Sequence, residues 1–102
     1  MKKIGIYYKD HLKYALALMA RLTKEMEKKS PIKKTSIWGM GYTYFENGDI
    51  IQILPLNSNS SRIDRRGFTE IYIEENLAED ELAYWLSLMS GRENFLVHRF
   101  NS

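Results

Sequence analysis

The chain has 102 residues, 44% hydrophobic and 27% charged, with a formal net charge of +2 and no cysteine. That length reads as one domain, 1–102, large enough to bury its own core, and the composition argues against wholesale disorder. Without cysteine, disulfides, zinc-thiolate sites and thiol catalysis are excluded.

The opening MKKIGIYYKD has an apolar run too short for a secretory signal, broken by Lys9 and Asp10. No apolar stretch approaches the roughly 18 residues of a membrane span. The expectation is a cytoplasmic protein with no membrane partner. Charge is uneven: residues 1–40 carry ten Lys/Arg against three Asp/Glu, and residues 69–94 carry one Arg against seven Asp/Glu. Either the two halves attract each other or are simply solvated, or a basic face serves an acidic partner.

In chain order, Lys3–Tyr8 reads as a strand with Ile4, Ile6 and Tyr8 on one face. Asp10 is the expected N-cap of a helix over about residues 11–29. Its apolar stripe is Leu12, Ala15, Leu16, Met19, Leu22 and Met26. Ser30-Pro31 ends it, because the residue before proline is pushed out of the helical region. Lys33, Lys34 and Thr35 then lead into SIWGMGYTYFE, where Gly39 and Gly41 mark either a bulge or two short strands.

Asn47-Gly48 is the preferred dipeptide of a two-residue type I′ turn. Such a turn would pair Phe45 with Ile50, Tyr44 with Ile51 and Tyr42 with Ile53. Leu56–Arg66 is polar and reads as a loop. Thr69–Ile73 is again a strand, running into Glu74 and Glu75. Asn76 and Glu79 form a capping box for a second helix, with anions Glu79, Asp80 and Glu81 in its first turn and Leu82, Trp85, Leu86 and Met89 as its buried stripe. Gly91 suits its C-terminal end, and Phe95–Phe100 is a last strand. The order is β-α-β-β-β-α-β: an α/β or α+β domain with a β-hairpin and two helices packed on a sheet.

IYIEE places two carboxylates at the C-terminal end of a strand, where the ligand crevices of α/β sheets lie. One reading gives them metal and water; the other makes them the approach to the Asn76 cap. Adjacent on a strand, Glu74 and Glu75 point to opposite faces and cannot form a carboxylate pair across a cleft. His11 and His98 lack metal-ligand spacing, and no serine sits on a G-x-S-x-G elbow. No catalytic residues, metal ligands or cofactors are therefore assigned. Arg62, Arg65 and Arg66, with Lys28, Lys29, Lys33 and Lys34, are candidates for phosphate contacts, and Tyr42, Tyr44 and Phe45 either stack on bases or pack in the sheet.

The run FENGDIIQILPLNSNSSRIDRRGFTEIYIEE resembles the middle of a phage large-terminase or helicase-type P-loop ATPase core. Asn47-Gly48-Asp49-x-Ile51 matches the hairpin strand of that family, Arg66-Gly67 its polar loop, and Ile71–Glu75 its Walker B strand. The resemblance implies a metal-holding role at Glu74 and a water-orienting one at Glu75. The chain departs from it in two ways: no G-x-x-x-x-G-K-[ST] occurs, and glutamate stands at the aspartate position. Without a phosphate loop nothing cradles the β- and γ-phosphates.

The resemblance implies a phage or mobile-element accessory protein. The function expected is non-enzymatic: binding another macromolecule, first a protein, as an inhibitor of host or defence machinery of the anti-CRISPR kind. The alternatives are a subunit of a split P-loop ATPase and a nucleic-acid-binding module. The binding residues expected are Arg62, Arg65, Arg66, Glu74, Glu75, Glu79, Asp80 and Glu81.

Overall fold

A computed structural model describes residues 2–36, 41–56, 69–75, 79–81, 83–84 and 96–100. Seven elements carry the fold: β1 (Lys3–Tyr8), α1 (Leu12–Glu27), β2 (Ile32–Ser36), β3 (Tyr42–Phe45), β4 (Ile50–Pro55), β5 (Glu70–Glu74) and β6 (Leu96–Phe100). Residues 79–81 and 83–84 are helical and mark the second helix. The strands form one mixed six-stranded sheet in the order β2-β3-β4-β1-β5-β6. The architecture is α+β, with a sheet and two helices as expected. The sheet has one strand more than expected, because Lys33–Thr35 lies within β2, which pairs antiparallel with β3.

Direction within the sheet follows from connection length. The β3–β4 pair is a tight antiparallel hairpin, whereas β1 runs parallel to both β4 and β5, and β5 parallel to β6. The chain leaves β1 through α1 towards the β2-β3-β4 side, and leaves β5 towards β6 on the other side. The crevice of such a sheet lies where the connections diverge, at the C-terminal ends of β1 and β5.

One face of the sheet carries Ile4, Ile6, Ile51, Ile53 and Phe45, packed against Ala15, Leu18 and Met19 of α1. Each fully buried side chain of this size contributes about 1.5–3 kcal/mol of hydrophobic stabilisation. The helix is rotated from the expected stripe: Leu18 is buried and Leu12 is 40% exposed. Leu12 is the first helical residue and does not join the core cluster. On the opposite face Tyr7, Leu54, Ile71 and Ile73 are also buried, so both sides of β1 and β5 are covered.

The hairpin departs from the expected register. Tyr44 faces Ile50, Thr43 faces Ile51 and Tyr42 faces Gln52. The Phe45 N–H donates to the Asp49 carbonyl at 2.9 Å and the Gly48 N–H to the Phe45 carbonyl at 3.0 Å. Gly48 has φ 97. The loop is thus three residues, Glu46-Asn47-Gly48, with glycine in the left-handed position of a bulged turn. The end of α1 holds this turn in place: the Ser30 hydroxyl accepts the Asn47 N–H at 3.0 Å, and the Pro31 carbonyl accepts the Glu46 N–H at 2.9 Å. Among the described residues, no helix is long and apolar enough to cross a membrane.

Candidate functional site: the carboxyl ends of β1 and β5

Glu74 closes β5 on the face that carries Ile4 and Ile6, as its register beside β1 requires. It is 2% exposed. A carboxylate in that position must be satisfied by donors, since burying an unpaired charge is costly. The donors are backbone amides after β1: Oε1 accepts His11 N–H at 2.9 Å and Lys9 N–H at 3.4 Å, and Oε2 accepts Asp10 N–H at 3.4 Å. The His11 ring adds Nδ1 at 3.5 Å from Oε2 and stacks on Tyr14 at 5.1 Å between centroids.

This arrangement corrects the expected capping of α1. The cap position is His11 rather than Asp10, and no side chain of its own caps the helix. The amides that precede the first turn are met instead by a glutamate 63 to 65 residues away. In open α/β sheets this loop commonly presents its amides to a ligand anion. Here an internal carboxylate occupies the position.

Around Glu74 the other acids divide. Glu75 follows it out of the strand and is exposed, its N–H donating to the Phe100 carbonyl at 2.6 Å. Glu81 accepts a hydrogen bond from Lys9 Nζ at 2.8 Å. That bond is the main reason the Lys9 ammonium titrates above its ordinary range. Glu79 and Asp80 are exposed. Lys9 therefore links both acidic stretches, through its backbone to Glu74 and its ammonium to Glu81. Arg99 of β6 closes the other side, its guanidinium donating to the Glu74 carbonyl at 3.1 Å and to the Glu75 carbonyl. Arg62, Arg65 and Arg66 lie outside the described residues.

The structure thus brings Glu74, Glu75 and Glu81 to one end of the sheet and gives them different surroundings. Lys9, His11 and Arg99 belong to the same end and escape sequence reasoning, since no spacing links them to Glu74. Among the described residues, no group of three His, Cys, Asp or Glu side chains is arranged to hold a metal ion. What the arrangement does chemically is hold one buried carboxylate on amides and present several exposed ones outward.

Two other features stand apart from this edge. A mostly apolar groove of about 630 Å³ runs between α1 and the edge strands, lined by Leu16, Met19, Ala20 and Thr23 with Thr35 and Thr43. On the reverse face of those strands Tyr42 and Tyr44 lie side by side, 4.9 Å between ring centroids. No protein-family model matches the chain, and no curated protein matches it.

Proposed function

We propose that this is a non-enzymatic accessory protein that works by binding another macromolecule, with its acidic edge as the surface for a protein partner. One observation carries this reading: the crevice at the carboxyl ends of β1 and β5 is filled from within by Glu74, whose oxygens are engaged by the amides of Lys9, Asp10 and His11. A carboxylate held in that way is not free to take a metal or a substrate. Glu75, Glu79 and Asp80, exposed at the same edge, suit the basic groove of a nucleic-acid-handling protein. An inhibitor of host or defence machinery, cytoplasmic and of mobile-element origin, fits that chemistry. Descent from a P-loop ATPase core that has lost its phosphate loop would account for the acidic strand end.

The test is comparative capture from the native host with wild-type bait and a Glu79→Lys/Asp80→Lys variant. A partner retained by the wild type and lost by the folded variant is the expected result. Equal retention by both, or nothing retained by folded wild type, would remove the reading. The alternative is a subunit of a split ATPase, in which exposed Glu75 completes a site on another chain. It requires Glu75→Gln to abolish hydrolysis by the assembled complex while leaving assembly intact, and unchanged turnover would exclude it.

A further inference from the structure

The hairpin register places a second surface on the sheet, remote from the acidic edge. Along the face away from α1, hydrogen-bonded neighbours form two rungs. One is Lys3, Ile50, Tyr44 and Lys34; the next is Gly5, Gln52, Tyr42 and Ser36. The rung between them, Ile4, Ile51, Thr43 and Thr35, belongs to the α1 face. There the Thr35 and Thr43 hydroxyls meet at 3.1 Å. Side chains two residues apart on a strand stand about 6.8 Å apart along it. The two tyrosines therefore project together, their rings drawn to 4.9 Å between centroids and tilted by 36°, so that one leans on the other. Tyr44 is 39% exposed, and the Lys34 ammonium lies 5.9 Å from the Tyr42 ring centroid.

We propose that this face binds single-stranded nucleic acid. A base stacks on Tyr44, which Tyr42 backs, and Lys34 and Lys3, at the two ends of the first rung, take the phosphates. Two features favour this occupant over an acidic protein segment. Aromatic rings on an open sheet face match the flat face that every base offers. The cations flank the rings, as a backbone crossing the rungs requires, and Lys33 continues the basic margin along the edge strand.

The test is fluorescence anisotropy of the full-length protein with a labelled oligothymidine and oligouridine of about 16 nucleotides, a length within the range single modules cover. A duplex of the same length is the comparison, all at low salt. Single strands should bind more tightly than the duplex. Tyr44→Ala should weaken binding by about tenfold or more, the usual loss of a stacked base, and Tyr42→Ala should weaken it less, by removing the ring that backs Tyr44. Tyr44→Phe should restore it, since stacking needs the ring and not the hydroxyl. Lys34→Ala should flatten the salt dependence by about 0.7 in log–log slope, the contribution of one phosphate on a single strand.

A cooperative thermal transition well above the assay temperature certifies each variant as folded. Equal affinity for the duplex, binding indifferent to the alanine variants, or no binding by folded wild type would overturn the proposal. So would displacement of the strand by polyglutamate with the same tyrosine dependence, because the occupant would then be an acidic peptide. Failure here leaves the acidic edge and its protein partner untouched. Equal capture by the Glu79→Lys/Asp80→Lys bait would leave the tyrosine face untouched in turn.

Discussion

The Glu74 carboxylate accepts the backbone N–H of His11 at 2.9 Å, tying the end of β5 to the start of α1 across 63 residues of chain. With the Lys9 and Asp10 amides on the same carboxylate, one side chain satisfies the part-buried donors of the loop.

Glu74→Ala is therefore expected to lower stability by about 3 kcal/mol, combining orphaned amides with lost packing. Glu74→Gln keeps the shape but replaces one acceptor oxygen with a donor facing amides, and should cost about 1–2 kcal/mol. Asp10→Ala should stay within about 0.5 kcal/mol, because Asp10 is exposed and makes no cap. Urea unfolding of the three variants measures all of this. A larger loss at Asp10 than at Glu74 would contradict the arrangement.

The hairpin register predicts opposite fates for neighbouring aromatics. Phe45 is 2% exposed beneath α1, while Tyr44 is 39% exposed on the other face. Phe45→Ala should cost about 3–5 kcal/mol and Tyr44→Ala below about 1 kcal/mol. Under a two-residue turn Tyr44 would share the face of Ile51, and its loss would be the costly one. The same pair of unfolding curves separates the two registers.

Gly48, with φ 97, supports that register locally. Gly48→Ala should destabilise by about 1 kcal/mol, since alanine in the left-handed region is strained. Gly48→Asn should recover part of the loss, because asparagine tolerates that region better. Thermal melts of both variants provide the comparison, and equal melting of Gly48→Ala and wild type would argue for a different turn.

Tyr72 predicts an alkaline dependence. Burial is the main cause holding its phenol above the ordinary value of 10.0, with Glu70 adding to the shift and Arg21 opposing it. The folded state thus keeps the proton to higher pH than the unfolded chain does. Stability linked to this group is intact below about pH 10 and falls as pH rises towards the folded value. Tyr72→Phe should flatten that decline, and urea midpoints measured between neutral and alkaline pH will show whether it does.

Much of this molecule follows from local pattern. Short apolar runs mark β1, β4, β5 and β6, helical spacing marks α1, and Asn47-Gly48 marks a reversal. Each depends on neighbours within a few positions, which a sequence displays directly. What the tertiary structure decided lies beyond that range. Asn-Gly favours a two-residue turn, but its glycine serves the left-handed position of a three-residue one as well. Because strand side chains alternate with period two, that single residue moves Tyr42 and Tyr44 from the core face to the open one. Glu74 had the composition of a catalytic strand end, and only the parallel pairing of β1 with β5 brought three amides within its reach. A carboxylate's role is set by the donors around it, and these donors come from the far end of the chain.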